Sequence, residues 1–98
     1  MRRGTTPTIT ISTDVDLSAA SNLFVTFSQG GAVVLEKTLS DVTVSADAVT
    51  VELTQEDTLA LASGASVEFQ IRATVGDAKL ASNIMVSSVY RILKNGVI

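Results

Sequence analysis

The sequence predicts an all-β fold: an immunoglobulin-like antiparallel β-sandwich of about seven strands, with one short helical turn near residues 55–62. Three observations predict it. Val, Ile and Thr supply 31 of the 98 residues, and side chains branched at Cβ are stiff about χ1 and suit a pleated surface better than a helix. Apolar residues recur with a period of two in short segments, the mark of strands with one buried face. These segments follow one another every 8 to 12 residues or so, separated by Gly, Asp and Ser, which is the spacing of a sandwich and not of a βαβ fold. A small closed barrel shares these features, because alternation does not report closure.

The elements follow in order. Thr8 to Ser12 alternates with Ile9 and Ile11 inward, a short, edge-like strand. Asn22 to Gln29 puts Leu23, Val25 and Phe27 on one side, and Ala32 to Leu39 sets Val33 and Leu35 against Val34 and Glu36. Between them lies Gln29-Gly30-Gly31-Ala32, where two glycines free to take positive φ predict a hairpin. Ser40-Asp41 breaks the pattern, Val42 and Val44 form a short strand, and Val49, Val51 and Leu53 form another beyond the Ala46-Asp47 turn. From Ser66 to Val75 the alternation is strict, with Val67, Phe69, Ile71, Ala73 and Val75 on one face. The last strand region begins after the Gly76-Asp77 turn, and Ile84 to Leu93 runs on with apolar residues on both faces, as expected of a strand that is central or meets a partner. Val25, Phe27, Val51, Leu53, Phe69 and Ile71 are expected to share one core.

Only Thr54 to Gly64 changes period. Thr54 is placed to accept from the free amides of a first helical turn, Glu56 and Asp57 suit its positive end, and Gly64 is placed to close it. A helix this short must be held by packing, expected through Leu59 and Leu61. Residues 1–98 make one domain, with residues 1–6 and Lys94 to Ile98 as loose ends.

Composition excludes several chemistries. Without Cys or His there is no thiolate nucleophile, no imidazole metal ligand and no Ser-His-Asp triad. Seven Lys and Arg against ten Asp and Glu provide no basic field for a phosphate backbone, so no nucleic-acid partner is expected. Four aromatics, Phe24, Phe27, Phe69 and Tyr90, are too few for a base-stacking or sugar-stacking platform. No apolar run approaches the 18 or so residues of a membrane span. Met1-Arg2-Arg3-Gly4 lacks the apolar stretch of a signal peptide.

Carboxylates are the only chemically active groups in number. Asp14-Val15-Asp16 has a D-x-D spacing, but position six of an EF-hand loop would be Ala19 and position twelve Val25, so the pair reads as a turn holding its own amides. Glu56-Asp57 reads as a helix start in preference to an acid–base pair. Gly30-Gly31 lacks the Lys and helix of a phosphate loop, and Tyr90 reads as a partly buried strand aromatic. The sequence therefore predicts no enzyme, no catalytic residue, no metal and no cofactor. The C-terminal strand, apolar on both faces, offers Met85, Val89 and Leu93 as an interaction surface, for a homodimer or for another protein, unless the chain's own N-terminal segment covers Met85 and Val89.

Further segments carry a resemblance: Arg2-Arg3 ahead of Gly4-Thr5-Thr6-Pro7, Leu35-Glu36-Lys37-Thr38-Leu39, Leu53 to Thr58, Ala81-Ser82-Asn83-Ile84, and Arg91 to Ile98. Together they resemble a family of short prophage-encoded proteins of Gram-positive gut bacteria. More distantly, the strand order and the Leu-Thr-Gln-Glu-Asp crossover are similar to the N-terminal sandwich domain of phage upper baseplate proteins, which docks a receptor-binding apparatus onto the tail. The resemblance implies a virion structural protein, found in the particle or in the bacterial cytoplasm during assembly. A free-standing sandwich that binds a carbohydrate or a cell-surface protein is the alternative.

Overall fold

The alternating segments form eight strands in two antiparallel sheets, seen in a computed structural model that describes all of Met1–Ile98. They are β1 (Thr8–Ser12), β2 (Asn22–Gln29), β3 (Ala32–Thr38), β4 (Val42–Val44), β5 (Ala48–Glu52), β6 (Ser66–Val75), β7 (Ala78–Ala81) and β8 (Met85–Ser88). A 3-10 turn at Leu39–Asp41 joins β3 to β4, and helix α1 (Gln55–Leu59) joins β5 to β6. The narrow sheet has the order β1-β5-β4 and the wide one β3-β2-β6-β7, with β8 also pairing with β6. Because β7 pairs with Arg72–Val75 and β8 with Ser66–Phe69, the two lie end to end along one side of β6. The wide sheet is thus four strands across. Its order matches C′-C-F-G of an immunoglobulin-type sandwich, and β1-β5-β4 matches B-E-D of the other sheet.

The buried face is the one the alternation marks. Leu23, Val25 and Phe27 of β2 and Val67, Phe69, Ile71 and Ala73 of β6 meet Ile11, Val49 and Val51 of the narrow sheet in one apolar cluster, which includes all six expected core residues. Phe27 and Phe69 are direct cross-strand partners, and their rings stack with centroids 5.4 Å apart. The Gly30-Gly31 hairpin forms as expected, with φ of 59° and 81°, the pair of positive values a two-residue hairpin turn requires. In β3 the alternation fails for a physical reason. The register shifts between Phe27 and Ser28, so Val34 is an extra residue in a bulge, leaving Val33 exposed and both Val34 and Leu35 half-buried.

Four expectations are corrected. First, the last strand region is not continuous: Ala78–Ala81 is a strand of its own, separate from β8 and held by its hairpin with β6. Second, the last strand stops at Ser88 and does not run from Ile84 to Leu93, because the Val89 carbonyl accepts from the Gly64 amide (3.1 Å) and Tyr90 turns to the N-terminal segment. Third, Gly64 lies beyond the end of α1, whose C-cap is Ala60, and turns the chain into β6.

Fourth, residues 1–6 are not loose. The Met1 nitrogen donates to the Ser88 carbonyl, the Tyr90 amide donates to the Met1 carbonyl (2.8 Å) and the Arg3 amide to the Tyr90 carbonyl (3.1 Å), so Met1–Arg3 runs as a parallel strap beside the end of β8. The Arg3 guanidinium reaches the carbonyls of Leu61 (2.7 Å) and Leu59 (2.9 Å) at the end of α1. Thr58, fully buried, donates its hydroxyl to the Thr5 carbonyl (2.8 Å). Gly4, at φ 70°, lets the strap pass: a Cβ there would lie 2.8 Å from Ile92 Cδ1. At the other end of the chain, Ile98 exchanges two hydrogen bonds with the Gln55 side-chain amide, whereas Leu93 stands 92% exposed.

Candidate functional site

Met85, Val89 and Leu93 do not form one surface. Met85 points inward from β8, opposite Phe69, and is half-buried against the core; Val89 is 4% exposed within the core behind the Met1–Arg3 strap; only Leu93 projects into solvent. The reason is the strap. It takes the strand-edge groups of Ser88 and Tyr90, and the chain turns Val89 inward beneath it. The expected self-association face is therefore largely consumed within the chain.

The acidic residues are engaged locally. Asp16 accepts from the Ser18 hydroxyl (2.5 Å) and amide (2.9 Å), closing the turn after β1. These bonds hold its carboxyl below the usual range. Asp41 accepts from the amide and hydroxyl of Thr38 and is likewise depressed. Asp57 is the third residue of α1 in a capping box: the Thr54 hydroxyl accepts from the Asp57 amide (3.1 Å), and the Thr54 amide donates to Asp57 Oδ2 (2.9 Å). Lys37 of β3 adds an ion pair to the same oxygen at 2.7 Å. Burial pushes the Asp57 carboxyl up, but the bonds from Lys37 and Thr54 outweigh it and the net shift is downward. Glu56 and Asp57 thus belong to a helix start that also pins β3. No three carboxylates converge into a metal site.

A depressed carboxyl binds its proton more tightly in the unfolded chain than in the fold. Its stabilising contribution is therefore present above the ordinary carboxylate pKa of about 3.9 and is lost as pH falls through the lower folded value. Urea midpoints are expected to be flat from about pH 7 to 5 and to fall below about pH 4. Asp57→Asn, which cannot pair with Lys37, is expected to shrink that acid-side drop; an unchanged profile would mean that other carboxylates carry it.

Two surface features remain. A groove of about 370 Å³ opens between the end of β1 and the β7/β8 margin of the wide sheet. Ile71, Ala73, Leu80 and Met85 form its floor, and Ser12, Thr13 and Asp14 stand along its β1 side. On the outer face of the wide sheet, Phe24 sits directly opposite Arg72, with Glu36 and Lys79 nearby around a shallow depression. That face also carries Val33 (64% exposed) and Val86 (64%), with Ile84 (56%) beside them. Ser82, to which no role is assigned from sequence, joins β7 to β8: its amide donates to the Ile71 carbonyl and its hydroxyl accepts from the Ile71 amide (3.0 Å), in place of a backbone carbonyl. Comparison with known protein families, with characterised proteins and with solved structures yields no match.

Proposed function

We propose that the chain is a non-enzymatic structural or assembly module of a phage tail or baseplate, working through contacts with other virion proteins. The observation that carries this reading is the apolar surface left in solvent on the wide sheet, where Val33, Ile84 and Val86 are each more than half exposed. Aliphatic side chains exposed on one sheet face, with Ser28 and Glu68 between Val33 and Val86, suit a protein partner better than a small polar substrate. The carboxylates that depart from ordinary titration point the same way. Asp16, Asp41 and Asp57 are all depressed and all engaged in turns or caps, whereas a general acid at neutral pH needs a carboxyl pushed up. The resemblance of the Arg2-Arg3, Leu53–Thr58 and Arg91–Ile98 segments to short prophage proteins supplies the setting. The experiment is mass spectrometry of particles purified after prophage induction. The chain is expected in the particle alongside tail proteins, or in tail assembly intermediates; absence from both would refute the proposal.

A second reading, a free-standing module that binds a carbohydrate or cell-surface protein, is favoured by Phe24 alone. Phe24 is partly exposed and pairs across the strands with Arg72, and the two line one shallow depression, which brings together the residue types of a site for an acidic sugar, an aromatic stacking face and a carboxylate-binding fork. Glycan binding that disappears in Phe24→Ala would select this reading.

A further inference from the structure

The two sheets leave four edges, and three of them are protected against strand addition. The β3 edge carries the Val34 bulge and Lys37, an inward-pointing charge paired with Asp57. The β4 edge is only three residues long. The β7/β8 edge carries Lys79, is interrupted between Ala81 and Met85, and is capped by the Met1–Arg3 strap. Bulges, inward charges, short strands and covering segments are the devices by which sheets avoid pairing with other chains. β1, five residues long, has no bulge, no inward charge and no covering segment: Thr8-Ile9-Thr10-Ile11-Ser12 is uncharged, regularly paired with β5 and free of Pro.

The register fixes which β1 groups are unpaired. The Leu53 amide donates to the Pro7 carbonyl and the Thr13 amide to the Asp47 carbonyl, so the odd-numbered residues from Pro7 to Thr13 face β5. The amides and carbonyls of Thr8, Thr10 and Ser12 therefore point away from the sheet, and none has a partner within the chain. In an immunoglobulin-type sandwich, that side of strand B is the place of strand A. Here the residues that precede β1 are drawn off to pair with β8 instead, so the narrow sheet is one strand narrower than the sheet it covers. The groove lies at this margin, with Leu80 and Met85 half-buried on its floor. Two polar groups line its side: the Thr13 hydroxyl, buried without a partner in the chain, and the exposed, unpaired Asp14 carboxylate.

From these features we infer that the β1 edge and its groove accept an extended strand from another protein, added to the narrow sheet in the place of strand A. The inference rests on the reading that the chain works through protein contacts. The inserted strand satisfies the free backbone of Thr10 and Ser12, lays an aliphatic side chain at every second position over Leu80 and Met85, and brings a basic residue to Asp14. A second copy fits less well. Its own β1 is backed by a sheet one strand wider, so two wide sheets would meet before the two β1 edges came within pairing distance, about 4.8 Å.

The test selects peptides from a displayed library of random dodecapeptides against the intact chain. Recovered peptides are expected to alternate aliphatic residues. Thr10→Pro removes an outward amide and no ladder bond, and is expected to weaken their binding by about tenfold or more, while Thr10→Val leaves it within about twofold. Amide exchange on the unsubstituted chain gives a readout independent of any variant's folding: Thr10 and Ser12 are expected to exchange freely alone and to be protected with peptide bound. Failure to recover a peptide, or peptides that neither protect these amides nor respond to Thr10→Pro, would overturn the inference. A native chain at twice its 10.2 kDa mass that returns to monomer in Thr10→Pro would also overturn it, assigning the edge to a second copy. None of these outcomes depends on whether the chain is found in phage particles, so failure here and failure of the tail or baseplate reading are distinguishable.

Discussion

Phe27→Ala is expected to destabilise the fold by about 3–5 kcal/mol, the largest effect of any single substitution considered for this chain. Phe27 is fully buried in β2, between Leu35 of β3 and Phe69 of β6, and its ring stacks on that of Phe69. Truncation removes the transfer energy of the ring and leaves a cavity lined by residues of both sheets. The β3 bulge adjoins this site, and a backbone already displaced from regular pairing has little freedom to close a further gap. Phe69→Ala is expected toward the lower end of the same range, because Phe69 keeps 9% exposure. The two changes are expected to add to less than their sum, since either one abolishes the stacked pair. Domains of this size are stable by about 5–15 kcal/mol, so Phe27→Ala brings the chain near its threshold. Urea unfolding measures the loss directly: the midpoint falls while the m-value holds, and a loss under about 1 kcal/mol would contradict this packing.

Strands whose one face meets the core were readable because their pattern is enforced by burial. Along β2 and β6 every second residue is withdrawn from water and its neighbour is not, and such alternation survives in a single sequence. Elsewhere the determinant is not local. Ala78–Ala81 has almost no alternation to read, and it is a strand because β6 offers it a partner across a tight turn. In sequence the last strand extends past its real end because Val89, Tyr90 and Ile92 continue an apolar pattern whose real use is contact with the N-terminal strap and α1. Residues 1–6 read as loose because their bonds to the rest of the chain go to residues 53 to 92 positions away, a separation that no window of sequence shows.

The interaction surface was less readable than the fold for the same reason. Met85, Val89 and Leu93 share a face only if the strand runs straight through them, and the turn at Val89 separates them. The exposed apolar residues of the wide sheet's outer face, Val33, Ile84 and Val86, come from two different edges of that sheet. The bulge at Val34 turns the first of them outward, against its expected phase. The helix start, by contrast, is readable in its first half, since Thr54 accepts from a first-turn amide as its position predicts, while the return bond from the Thr54 amide to Asp57 is not announced. Its second task, holding Lys37 of β3, is not readable, because an ion pair across 20 positions of sequence leaves no periodic trace.

The second large effect lies in the strap. Arg3→Ala is expected to cost about 2 kcal/mol, because hydrogen bonds from a charged group contribute about 1.5–3 kcal/mol each and water replaces part of that at a half-buried site. Helix α1 has no basic residue in its last turn, so the carbonyls of Leu59 and Leu61 depend on Arg3, which meets them with Nη2 and Nε. The planar fork of a guanidinium spans two carbonyls at once, which an ammonium cannot do. Arg3→Lys is therefore expected to recover about half of the loss, about 1 kcal/mol. The effect reaches beyond the helix: the same residue's backbone pairs with Tyr90, so loosening Arg3 uncovers Val89 and frees the edge groups of Ser88 and Tyr90. Thermal unfolding should show the midpoint of Arg3→Ala lowered by roughly 8–16 °C, at about 4–8 °C per kcal/mol for a chain of this length. Amide exchange at Arg3 and Tyr90 is expected to accelerate in the same variant, while that of Val25 and Ile71 at the centre of the wide sheet rises only with the global loss of stability. A midpoint within about 2 °C of the parent, less than 0.5 kcal/mol, would mean that the strap lies on the sandwich without supporting it.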